Sequence, residues 1–99
     1  MLLVIGTIRV APEAVAHMRP VMDELAAATR REDGCMEYGC AEDLLDPGLI
    51  HVKEIWRDQA ALDRHRQTPH TAKARDAMGG LNVLGADLRV CDVDELRPF

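Results

Sequence analysis

At 99 residues, with 47% hydrophobic and 29% charged side chains, the chain has the length of one domain and the composition of a globular protein, not of a disordered or membrane-spanning one. A net charge of −5, with arginines interleaved among Asp and Glu, provides no basic stripe for phosphate backbones and speaks against nucleic acid as a partner. Cys35, Cys40 and Cys91 form no C-x-x-C pair and suit reduced thiols packed as small hydrophobes, and the longest apolar run, Met1 to Ile5, is far too short to cross a bilayer.

The opening MLLVIGTIRV lacks the basic segment and small-residue cleavage site of a secretory signal, so it is expected to be part of the fold of a cytoplasmic protein. Residues 2–10 are apolar on both parities until Thr7 and Arg9, which predicts a strand covered on both faces. Pro12 then sits where a first-turn proline is tolerated. Ala14, Val15, Met18, Val21, Met22, Leu25 and Ala26 recur at helical spacing, predicting an amphipathic helix of about five turns, kinked at Pro20. Gly34 in REDGC terminates it. CMEYGCAE is a short strand, and Asp46, Pro47 and Gly48 supply the turn into a third strand, Leu49 to Trp56, so the two form an antiparallel hairpin. In that third strand Ile50, Val52, Glu54 and Trp56 share one side. Asp58 caps the next helix, on which Ala61, Leu62 and His65 share a face, and TPH breaks and restarts it with Thr68 as cap and Pro69 as first residue. ADLRVCDV is the last strand.

This order is the split βαβ arrangement of an α+β, ferredoxin-like βαββαβ domain over residues 1–99, a four-stranded antiparallel sheet with both helices on one face. Two helices cannot cover both faces. The apolar set Ile50, Val52 and Trp56 is assigned to the opposite one, which predicts a homodimer of stacked sheets with a cavity between the sheets or between sheet and helix.

EDGCMEYGCAEDLLDPG followed by VKEIWRDQAALDRHRQTPH resembles the antibiotic biosynthesis monooxygenase family, in the glycine-cysteine and tyrosine start of strand two, the Glu-x-Trp end of strand three and the His before a Thr-Pro-His segment. The resemblance implies a dimeric α/β barrel with a pocket in each protomer. Some members oxidise polycyclic phenols or quinols with molecular oxygen and neither metal nor flavin; others degrade haem, or isomerise or break down small carbonyl compounds. Positions near Gly6, His65 and Arg75 stand in place of the haem branch's Asn, Trp and His set, which argues against haem.

An ionised carboxylate on a strand face lined by Ile50, Val52 and Trp56 is costly unless paired or neutralised, so Glu54 is the candidate acid or base. His65, on the face of Leu62 and Ala61, is expected to point at the sheet and to meet Glu54, giving an oriented imidazole able to take a proton from a phenol or enol. Val52, Leu62, His70, the flat walls Tyr38 and Trp56, and Arg75 as a holder of an anionic oxygen complete the expected substrate-binding set. No metal is expected, because His65 and His70 are five residues apart across a helix break and cannot share a helix face; no other cofactor is implied. The reading is a cofactor-independent monooxygenase for a small phenol, quinol or anthrone. A non-oxidative isomerase or degrading enzyme for a hydroxy-carbonyl compound, or a non-catalytic binding module, are the alternatives.

Overall fold

The N-terminal apolar run forms β1 (Leu2–Arg9), and a 3-10 turn at Pro12–Ala14 leads into α1 (Val15–Thr29), in a computed structural model that describes residues 1–99. There follow β2 (Cys35–Glu42), β3 (Leu49–Trp56), α2 (Gln59–Arg66), α3 (Pro69–Gly79) and β4 (Gly85–Asp92). The sheet order is β2-β3-β1-β4 with every pair antiparallel, the ferredoxin-like α+β architecture. Pro20 lies inside α1, which continues past it to Thr29.

Local chemistry explains the boundaries. The Asp58 carboxylate accepts from Ala61 N at 2.8 Å and opens α2. Thr68 Oγ1 accepts from Thr71 N at 3.3 Å and donates to the His65 carbonyl at 2.8 Å, so one hydroxyl closes α2 and opens α3. The β2–β3 turn is pinned by a two-pronged bond from the Arg9 guanidinium to Asp46, at 2.9 and 2.7 Å. At Gly6 (φ 152°) β1 and β4 approach so closely that a Cβ would run into the Asp87 carbonyl oxygen.

The core lies between sheet and helices. Leu2, Val4, Tyr38 and Trp56 from the sheet meet Leu25, Ala61, Leu62 and Ala74 from the helices, and a second cluster joins Ile50 and Val10 to Ala14 and Met18. This corrects one expectation: the side of β3 carrying Ile50, Val52, Glu54 and Trp56 faces the helices. The cause is register, since β3 pairs Trp56 with Leu2 and Glu54 with Val4, and both β1 residues lie under the helices. The uncovered face instead carries the row Leu3, Ile55 and Cys91, with Ile5 beside Lys53 and Arg89.

Candidate active site

Three elements bring their side chains to the helix-covered face of β3. Alternation along β3 sends Glu54 and Trp56 the same way, and cross-strand pairing sets Tyr38 beside Glu54. Glu54 is 9% exposed and Trp56 fully buried. The Trp56 indole Nε1–H donates to Glu54 Oε2 at 3.2 Å, the one hydrogen bond this carboxylate makes. Burial pushes the Glu54 carboxyl above its ordinary value, with the Trp56 bond and the neighbouring His65 acting in the opposite direction. Burial likewise raises the Tyr38 hydroxyl, reinforced by the charge of Glu54.

From α2, His65 enters the same space at 5% exposure. Its ring lies 4.7 Å from the Trp56 ring and 5.6 Å from that of Tyr38, centroid to centroid. The sequence places His65 correctly but gives it the wrong partner. Its Nδ1 bonds Glu32 Oε2 at 2.7 Å, and no hydrogen bond joins it to Glu54. The His70 Nε2, from the first turn of α3, reaches the same Glu32 oxygen at 2.8 Å. An ionised carboxylate only accepts, so both ring nitrogens donate to it and a neutral His65 keeps its lone pair on Nε2, away from Glu32.

Glu32 is the residue that sequence reasoning missed. It stands in the α1–β2 connection, two positions before Gly34, whose φ of 88° turns the chain into β2. Arg57, just past the end of β3, holds that connection. Its backbone N donates to Gly34 O at 2.8 Å and its guanidinium grips Asp33 at 3.0 and 3.2 Å. The carboxylate side chain of Glu32 is 13% exposed and pairs with no lysine or arginine. The helix break expected to keep His65 and His70 apart does the reverse: it re-aims His70 so that both rings meet Glu32. Glu32, His65 and His70 are therefore the residues able to hold a metal ion, with one donor atom of each within 4.8 Å of the others.

Of the remaining candidates, Leu62 is buried in the core beside Trp56 and Val52 is half-buried on the side of β3 that carries Glu54. Arg75 does not join them. It is exposed on α3, one position past buried Ala74, and forms no ion pair. A cleft of about 310 Å3 opens between α1 and β2, with Met18, Met22 and Ile50 as its apolar wall and Arg19, Arg30 and Glu42 among its polar lining. Tyr38 belongs to that lining as well as to the His65 cluster, whereas Glu54 and His65 do not border the cleft.

A four-stranded antiparallel sheet that buries a carboxylate and a fixed imidazole among aromatic rings under its helices defines a class: a small α+β domain of ferredoxin-like fold. The chain belongs to the antibiotic biosynthesis monooxygenase family, which residues 1–77 match. It is 33% identical to the Escherichia coli "Probable quinol monooxygenase YgiN", over 91% of this chain and 95% of that protein. It is 37% identical to the Mycobacterium tuberculosis "Putative monooxygenase Rv0793", over 71% of this chain and 68% of the relative. Among solved structures, a Deinococcus radiodurans protein described as a "putative antibiotic biosynthesis monooxygenase" superimposes with a TM-score of 0.91 at 33% identity, covering 100% of this chain and 98% of that one.

Proposed function

We propose that the protein is a monooxygenase that oxidises a small phenol, quinol or anthrone with molecular oxygen and without a cofactor. The observation that carries the reading is the buried pair of Glu54 and His65 on one side of the sheet, separated from a ligand-sized cleft by Tyr38. Family membership and the quinol in the name of the Escherichia coli relative support the substrate class. His65 Nε2, its ring held by Glu32, removes the substrate proton and leaves an electron-rich anion. That anion passes one electron to oxygen, and the two radicals recombine to a peroxide at the substrate carbon. His65 returns its proton to the outer oxygen, giving a hydroperoxide; His65 Nε2 then removes the remaining C–H proton while a second donor protonates the departing hydroxide, so the O–O bond breaks to leave a carbonyl and water, and the C–H proton is passed back to that donor: one oxygen atom enters the product, the other enters water, and the substrate supplies both electrons. Glu54, kept toward its neutral form by burial, is the proton donor for that last step. The substrate lies in the cleft and reaches the pair by displacing the Tyr38 ring.

We also infer that the working unit is a cytoplasmic homodimer whose sheets stack by their uncovered faces into an α/β barrel. The chain exposes 6532 Å2, whereas a folded monomer of this mass exposes about 5600 Å2 by the usual scaling. The excess is close to the roughly 800 Å2 that each partner buries in a standard interface.

Oxygen consumption with a panel of quinols and anthrones tests the reaction. Wild type should consume oxygen, and Glu54→Gln combined with His65→Ala should abolish turnover while circular dichroism shows a retained fold. Equal uptake by both proteins would rule out this acid–base assignment. Turnover that persists without oxygen would select the non-oxidative isomerase, and altered affinity with nothing consumed would select a binding module.

A further inference from the structure

We propose that Glu32, His65 and His70 form a binding site for one divalent transition-metal ion of the zinc type. The proposal does not rest on the oxygenase reading, with which it competes for His65. Two imidazoles and one carboxylate are ligands that suit Zn2+ and its first-row neighbours, whereas Mg2+ and Ca2+ favour all-oxygen shells and gain little from two ring nitrogens.

The three side chains come from different parts of the chain, and each is fixed before any ion arrives. Arg57 holds the Glu32 connection through Asp33 and Gly34. The Trp56 and Tyr38 rings hold His65, and the Thr68 cap sets the direction in which α3 presents His70. Both ring nitrogens converge on one carboxylate oxygen, at 2.7 and 2.8 Å, so a small movement replaces two shared protons by one shared cation.

Charge argues the same way. Glu32 is nearly buried, its hydrogen-bonding partners are two imidazoles, and no lysine or arginine balances it. The side chain of His70 is 25% exposed, which gives an ion an entry path and room for water in the remaining coordination positions. Three protein ligands with an open side are the pattern of a reactive zinc site, while a purely structural one is closed by four.

Ligation by Nδ1 moves the His65 proton to Nε2, so a bound ion and a base at His65 Nε2 exclude each other. The two readings therefore fail separately: metal-stripped protein tests oxygen uptake, and ion titration tests this site.

Chelator-treated, dialysed protein titrated with Co2+ and with Zn2+ should bind one ion per chain by calorimetry, with the Co2+ form showing the visible absorption of a nitrogen- and oxygen-ligated ion. His70→Ala and Glu32→Gln should each weaken binding by about 100-fold or more, at least the loss typical of removing an outer-shell partner. His51→Ala, which removes the surface imidazole paired with Asp43, should leave affinity unchanged. Should either site variant fail to fold, Co2+ added to wild type must still shift or broaden the ring signals of His65 and His70 ahead of those of His17 and His51. Absence of binding, binding that survives both site variants, or spectral changes centred on His17 or His51 would each overturn the proposal.

Discussion

Glu54 and Glu32 are both withdrawn carboxylates in one small space, yet their surroundings treat them differently. Glu54 has one indole donor and is pushed toward its neutral form, while Glu32 accepts from two imidazoles. A carboxyl whose pKa is raised by folding favours the folded state while protonated and opposes it once ionised. Glu54 should therefore cost the wild type stability as pH climbs from its ordinary value of 4.5 through its raised folded value. Glu54→Gln keeps an oxygen for the Trp56 N–H and removes that decline, so melting temperatures of the two proteins should diverge in favour of the variant across this range. Parallel profiles would mean that Glu54 ionises in the folded protein as it does in water. Glu54 was legible because a lone carboxylate interrupts an apolar alternation. Glu32 was not, because REDGC is dense in charge and looks like an ordinary solvated helix end.

The element boundaries were legible almost throughout, since the cap at Asp58, the cap and proline at Thr68–Pro69 and the Asp46–Gly48 turn each carry their own local physics. The orientation of β3 was not. Period-two alternation says which residues share a side, but β1 is apolar on both sides, and nothing local states which side receives the helices. The α1–β2 connection shows how one residue joins elements. Gly34 adopts φ 88°, and a Cβ there would sit 2.5 Å from the Ala61 Cβ of α2. Gly34→Ala should lower stability by at least about 1–2 kcal/mol, the left-handed backbone cost alone, with the contact against α2 adding to it. Chemical denaturation measures this directly, and an unchanged midpoint would show that the connection can relax away from α2.

Only 16 of 99 residues are buried, a thin core for a chain whose sheet leaves one whole face uncovered. The apolar row Leu3, Ile55 and Cys91, with Ile5 at 41% exposure, lies at the centre of that face. Ile5→Arg would bring a charge next to Lys53 and Arg89 and oppose stacking of a second sheet. Sedimentation should show wild type as a dimer and the variant shifted toward monomer; a wild-type monomer, or a variant dimer of unchanged strength, would place the interface elsewhere. The joint between α2 and α3 also decides which changes of chain length the protein can absorb. Each residue added to a continuous helix swings everything after it by about 100° around the axis. Without the interruption at Thr68 the two rings would point about 140° apart. An inserted or deleted residue at Gln67 or Thr68 would scatter the imidazoles even with every side chain retained, whereas the turns at 43–48 and 80–84 lie outside that linkage. The spacing of this joint, more than its composition, is what descendants of this sequence must inherit intact.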